Sequence, residues 1–230
     1  MDKKNFKKLQ KDIQLNFKNE NLLKQAFVHR SYLNEHKKFE LAHNERLEFL
    51  GDAVLELAVT EYLFLNYSNP EGELTNWRAS LVNTKNLSTV AVKYNLEKYL
   101  YLSKGEQKDT GKARQLILGN LIEALIGAIY LDQGWETAKK FVEKNILIEL
   151  PEILEKKLYV DPKSNFQEAA QEKKGVTPNY KLLKESGPDH KKVFEIGVFL
   201  NKKLVAKGKG ESKQEAQEKA AEKALDKTGW

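Results

Sequence analysis

Apolar residues in the first 156 positions recur at three- and four-residue intervals, with no convincing two-residue alternation. Leu22, Leu23, Ala26 and Phe27 form one such run, and Leu47, Leu50, Val54, Leu57, Ala58 and Leu65 a second. A third spans Leu116 to Leu131 and a fourth Ala138 to Leu150. A period near 3.6 gathers each set onto one stripe of a helix. The runs are interrupted at residues 66–72, where Pro70 and Gly72 lie, at Lys104-Gly105-Glu106 and at Gln133-Gly134. This spacing predicts an all-α domain over residues 1–156.

The pattern changes at about residue 157. Tyr159 to Lys163 reads as a proline-containing turn, with 157–161 as a linker. Phe166, Ala169 and Ala170 predict a short helix, stopped by Gly175 and Pro178. Segments 180–184, 193–200 and 203–207 are rich in strand formers, and Asn201-Lys202 makes a tight turn between the last two. Ser212 is placed to cap a final helix with Ala216, Ala220, Ala221, Ala224 and Leu225 on its buried stripe. The order α-β-β-β-α predicts a small α+β domain over residues 162–230.

Composition narrows the function. The chain has no cysteine, which excludes a disulfide framework, thiolate zinc sites and a cysteine nucleophile. No uninterrupted apolar run approaches the roughly 20 residues of a membrane helix. The start Met-Asp-Lys-Lys-Asn-Phe-Lys-Lys has no apolar core behind it, as a signal peptide would. A cytoplasmic location without a membrane partner is therefore expected. Net charge is +6, and residues 161–230 carry 15 Lys+Arg against 11 Asp+Glu. A polyanionic partner is the simplest reading of that excess, with ordinary solubility charge as the alternative.

The most informative segment is His43-Asn44-Glu45-Arg46-Leu47-Glu48-Phe49-Leu50-Gly51-Asp52. On a helix Glu45, Glu48 and Asp52 fall within about 60° of arc, and Glu56 follows a turn later. The other positions are apolar, so this acidic face sits beside a core. Such a face is either a solvated stripe or a site for a hard divalent cation such as Mg²⁺. A second segment, Ile117 to Leu131, is apolar on nearly every face, with Glu123 as its one charge and Asn120 a turn earlier. A buried lone carboxylate needs a partner, either an arginine such as Arg46 or Arg78, or a metal. The acidic helix makes the metal reading the stronger one.

These residues resemble the ribonuclease III family. Asn44 to Asp52 resembles its signature, Glu123-Ala124-Leu125-Ile126-Gly127-Ala128 its second catalytic segment, and Gln25 to Tyr32 and Pro70-Glu71-Gly72 further family positions. The C-terminal part is similar to the double-stranded-RNA-binding domain of bacterial members. The resemblance implies an endonuclease that cuts double-stranded RNA with Mg²⁺, Mn²⁺ substituting, to 5′-phosphate and 3′-hydroxyl ends. It implies roles in processing rRNA, mRNA and tRNA precursors. Asp52 and Glu123 take the catalytic positions; Glu48, Asn120 and Glu123 the metal positions; Glu45 and Glu71 accessory acidic positions. The family usually has Asp where this chain has Asn120, so a non-cleaving double-stranded-RNA-binding protein is the alternative. The resemblance also implies a homodimer, with Phe49 inserted into the partner subunit; the bland reading of Phe49 is an intramolecular core residue.

In the C-terminal part the resemblance marks three regions for RNA: Gln167 and Gln171 on the first helix, the loop Gly187-Pro188-Asp189-His190, and Ser212 with Lys213 at the start of the last helix, preceded by Lys209. Free N–H groups and the dipole at that helix start attract phosphate. His29, His36 and His43 are seven apart, too far for an ordinary zinc helix. Trp77, Trp135 and Trp230 are read as packing residues, and Gly51 as a point of close helix contact.

Overall fold

The computed structural model describes residues 4–188 and 192–230, and the chain divides into two compact units, Met1–Tyr159 and Val160–Trp230. The described part of the first unit is helical: α1 (Phe6–Asp12), α2 (Glu20–Ala26), α3 (Arg30–Glu35), α4 (Glu45–Asn66), α5 (Glu71–Val82), α6 (Thr84–Lys93), α7 (Gly111–Gln133), α8 (Trp135–Asn145) and α9 (Leu150–Glu155). Short 3-10 turns lie at Leu96–Tyr99, Glu106–Lys108 and Leu147–Glu149. An isolated parallel bridge pairs Val28 with Tyr101.

The unit is built around α7. The helix ends at Gly134, whose φ of +81° suits a residue without a Cβ. Leu121, Ile122, Leu125, Ile126 and Ile129 on it are fully buried. Each such side chain contributes about 1.5–3 kcal/mol by leaving water. The helix packs against α4, α6 and α8. At 23 residues, α7 is long and apolar enough to cross a membrane by length and composition. That corrects the expectation from uninterrupted runs, which Asn120 and Glu123 had broken up. Here its apolar faces are used in the core.

In the second unit, α10 (Pro162–Lys174) starts from an Asp161 side chain that accepts the Ser164 N–H at 3.0 Å. Pro162, expected in a turn, occupies the first helical turn, where its missing N–H costs nothing. Strands β1 (Asn179–Ser186), β2 (Val193–Leu200) and β3 (Lys203–Gly210) form an antiparallel sheet in the order β1-β2-β3. Asn201 takes φ +54° in the β2–β3 turn. The sheet and α10 pack with α11 (Lys213–Thr228) around Phe166, Val198, Ala220, Ala221 and Ala224, and Trp230 stacks on Phe166 at 5.6 Å. The third strand runs past the expected 207 to Gly210. Gly208 and Gly210, which look like strand breakers in sequence, leave room for the backbone of α11.

Candidate active site

The start of α4 is fixed from outside the helix. The buried Asn44 side chain donates to the Ala26 carbonyl at 3.1 Å, and the Asn44 backbone N–H donates to the Val28 carbonyl at 2.9 Å. Farther along, α4 crosses α7 at two glycines. Any Cβ on Gly51 would overlap the Glu123 carbonyl, and any Cβ on Gly127 would overlap the Leu47 carbonyl. The backbones approach as closely as glycine allows. Glu48 and Asp52, on either side of Gly51, are thereby held against Asn120 and Glu123.

The Asn120 amide joins the two helices directly, its Nδ2 donating to Glu48 Oε1 at 3.0 Å. Burial, then the charges of Asp52 and Glu48, push the Glu123 carboxyl up to about 7. Glu48 is also raised, chiefly by burial, with Glu45 and Asp52 adding to the shift and the Asn120 hydrogen bond opposing it. Among the described residues no ion pair reaches Glu48, Asp52 or Glu123. The neighbouring acids differ: Glu45 lies 3.4 Å from Arg30 and 3.7 Å from His43, and Glu56 lies 3.9 Å from Arg78. Arg78 also donates to Thr60 Oγ1 at 2.9 Å. The arginine partner considered for Glu123 is therefore absent, and Arg78 serves Glu56 instead.

Glu45, Glu48, Asp52, Asn120 and Glu123 thus form one constellation. Glu71 stands apart: it opens α5 and lines a separate cavity of about 880 Å³ with Phe64, Tyr67 and Arg78. It is not among the charges acting on Glu48 or Glu123. Among the described residues no three carboxylate or imidazole groups converge tightly enough to hold an ion unaided. Mg²⁺ does not require such a cage, because it keeps waters and binds through one or two carboxylates plus substrate phosphates. Two oxygen-donor acids, both raised by burial and by neighbouring carboxylates and without a basic partner among the described residues, beside an amide, suit that ion.

Phe49 is 82% exposed, which overturns its reading as a core residue. Leu57 and Phe64 are exposed farther along the same helix. The histidines act locally: His29 Nδ1 accepts the Ser31 N–H at the start of α3, and His36 stacks on Tyr32.

In the second unit Gln167 and Gln171 are exposed one turn apart on α10. His190 lies outside the described residues. The Lys209 ammonium, with that of Lys207, lies 3.4 Å from a Glu195 carboxylate oxygen. Lys213 stands 6.0 Å from the Phe194 ring centroid. Ser212 Oγ accepts the Glu215 N–H at 3.1 Å and so caps α11, while the Glu215 carboxylate accepts the N–H of Glu211, the residue before the cap, at 2.9 Å. Two features had no role in the sequence reading. One is the close packing of Gly127, which the sequence shows only as a member of the Glu123–Ala128 segment; the other is the 2.7 Å hydrogen bond from Lys163 to Gln217 that ties α10 to α11.

A family profile described as ribonuclease-III-like matches residues 19–150, and one for the double-stranded RNA binding motif matches residues 162–228. The chain is 46% identical over 216 residues to Ribonuclease 3 of Carboxydothermus hydrogenoformans, covering 93% of this chain and 92% of that protein. It is 44% identical to Ribonuclease 3 of Enterococcus faecalis, covering 86% of each. Among solved structures it resembles the nuclease domain of ribonuclease III from Campylobacter jejuni, with TM-score 0.57 and 41% identity over 65% of this chain and 98% of that one. A second structure of that domain, with TM-score 0.55, 41% identity, and coverage of 62% of this chain and 99% of that one, is described for structural flexibility in a region involved in dimer formation.

Proposed function

The chain belongs to the ribonuclease III family, and from that premise we propose that it is a Mg²⁺-dependent endoribonuclease that cuts double-stranded RNA to 5′-phosphate and 3′-hydroxyl ends. The observation that carries this reading is the α4–α7 crossing, which leaves Glu48, Asp52 and Glu123 together without a cation. Glu48 and Glu123 would hold the ion, with the Asn120 amide oxygen as a neutral ligand. When bound, Mg²⁺ supplies Lewis-acid activation of the scissile phosphate and acidifies the attacking water. The protein's part is positional. Asn120 holds the Glu48 carboxylate toward α7. Asp52 keeps Glu123 under electrostatic pressure that a cation relieves. Arg30 pairs with Glu45 at 3.4 Å, whereas the inner acids have no basic partner among the described residues.

The second unit supplies the grip on duplex RNA. The wide minor groove of A-form RNA presents 2′-hydroxyls, and amide side chains such as Gln167 and Gln171 can both donate to and accept from them. His190, Lys209, Ser212 and Lys213 are the remaining assignments. The Ser212 oxygen is engaged in its cap, so its contribution to RNA is through its hydroxyl proton. A homodimer fits the substrate, because two symmetric centres can each address one of two antiparallel strands. The exposed stripe of Phe49, Leu57 and Phe64 is the surface for it. Processing of rRNA, mRNA and tRNA precursors in the cytoplasm is the matching cellular role.

A long RNA duplex on a native gel tests the reading. Cleavage in Mg²⁺ with only a mobility shift in EDTA is expected. A shift without cleavage in either Mg²⁺ or Mn²⁺ would make the protein a binder and not a nuclease.

A further inference from the structure

We infer that a lysine-rich cleft on the first unit, lined by none of the acidic site residues, binds single-stranded RNA flanking the duplex. This rests on the reading that the substrate is RNA. The cleft, about 1570 Å³, is walled by α1, α2, residues 38–41 and residues 98–102. Lys4, Lys7, Lys8, Lys24, Lys38 and Lys98 line it against two acids, Glu20 and Glu40. The whole chain carries 39 basic against 33 acidic residues, so this ratio is local.

Not all six lysines are available to a ligand. Lys24 lies 3.8 Å from Glu20. Lys4 belongs to the wall: it donates to the carbonyls of Lys98 and Leu100 at 2.9 and 2.8 Å and sits 4.9 Å above the Tyr101 ring. Lys7, Lys8 and Lys38 are exposed and make no ion pair among the described residues. Three unpaired ammonium groups around one concavity, against the one unpaired carboxylate of Glu40, leave a net positive cleft that suits a polyanion.

The floor distinguishes an unpaired strand from a duplex. Phe39 is partly exposed on the floor, backed by Tyr101 at 5.3 Å and Tyr32 at 5.2 Å, while the Tyr101 ring is itself covered by the Lys4 ammonium at 4.9 Å and stacked on Phe6 at 6.4 Å. An A-form helix turns its bases inward and presents a convex backbone, so it has no use for aromatic faces in a recess. An unpaired strand can stack a base on Phe39 while lysines neutralise its phosphates.

The cleft also lies close to the acidic site. Leu41 on its edge is four residues before Glu45, so their Cα atoms are at most about 14 Å apart. Tyr101 in its wall bridges Val28, whose carbonyl accepts the Asn44 N–H at the head of α4. A strand leaving the acidic face can therefore reach the cleft within a few nucleotides.

The test uses the full chain in EDTA and a fluorescein-labelled oligouridine of about 15 nucleotides, long enough to span one single-strand site. Lys7→Gln/Lys38→Gln should weaken binding about tenfold at low salt and reduce the slope of log K against log salt by about 1.4. Lys140→Gln/Lys156→Gln, with the same charge change, should not. The inference is overturned if the wild type does not bind the oligomer, if the cleft pair retains wild-type affinity and slope, or if the control pair loses as much. It is also overturned if the cleft pair loses affinity for a blunt duplex by the same factor, since the cleft would then serve paired RNA. Cutting of that blunt duplex by the wild type in Mg²⁺ judges the nuclease reading separately.

Discussion

A side chain on Gly51 would have to occupy the space of the Glu123 carbonyl oxygen. The reciprocal contact, Gly127 on the Leu47 carbonyl, makes the crossing two-sided. Backbone lies against backbone there, so neither helix can yield by turning a side chain aside. The separation of the acids on α4 from those on α7 is set by this contact.

Gly51→Ala should therefore destabilise the first unit by about 1–3 kcal/mol or more, despite alanine's better helix propensity. Gly72→Ala, with nothing within 4 Å of its added Cβ, should stabilise by about 0.4–1 kcal/mol. Chemical denaturation followed by helical circular dichroism compares the two. A neutral Gly51→Ala would mean that the helices are not held at this separation.

Glu123 sets a pH dependence of stability. Its carboxyl stands at about 7 in the fold against the model-peptide 4.5. A raised acid favours the fold only while protonated, so its penalty begins above 4.5 and is complete above 7. In EDTA, Glu123→Gln should raise stability at pH 8 by about 1 kcal/mol, discounted for the partial exposure of the group, and melt a few degrees higher. The two proteins should converge near pH 4. A constant gap in Tm across that range would remove Glu123 as its source.

Asn120→Asp replaces the amide that donates to Glu48 with a fourth carboxylate beside Glu48, Asp52 and Glu123. Metal-free stability should fall, because Glu48 loses its hydrogen bond and gains a repelling neighbour. Cleavage at limiting Mg²⁺ should rise, and the apparent metal affinity with it. Equal rates for the two forms across a full Mg²⁺ titration would exclude a ligand role for residue 120.

Phe49→Ala should leave the melting of the isolated subunit nearly unchanged, since the ring is largely in solvent. It should raise the dimer dissociation constant, by about 2 kcal/mol if the ring is a central anchor. Light scattering at micromolar concentration reads both proteins. A monomeric wild type would end the dimer proposal, and a variant that dimerises as tightly would move the interface elsewhere.

The two classes of RNA contact should separate by salt. Gln171→Ala should weaken duplex binding with the salt slope unchanged, whereas Lys213→Gln should lower the slope by about 1. Filter binding in EDTA over a salt series gives both numbers. Identical slopes for the wild type and Lys213→Gln would take the lysine off the phosphates.

Much of the architecture is legible from local chemistry. Helical periodicity located α4, α7 and α8, and the switch after residue 157 located the small sheet. Ser212 caps α11 as its position before the alanine stripe suggests. Pro162 was misread because a proline at a helix start and a proline in a turn look alike until the Asp161 cap beside it is seen. The run Leu116–Leu131 marks the middle of α7, whose first residues, 111–115, are too polar to join the apolar periodicity.

The sequence by itself determined the helical register that puts Glu45, Glu48 and Asp52 on one face, and the single carboxylate in an otherwise apolar α7. Only the tertiary structure decided which of these acids carry uncompensated charge. Glu45 and Glu56 are paired with Arg30 and Arg78, Glu48 and Glu123 have no basic partner among the described residues, and Glu71 lies elsewhere. It also placed Phe49 in solvent. The reason is that helical register is a property of neighbours along the chain. Desolvation and Coulomb energy are sums over neighbours in space, and those are known only once α4 and α7 have packed at Gly51 and Gly127.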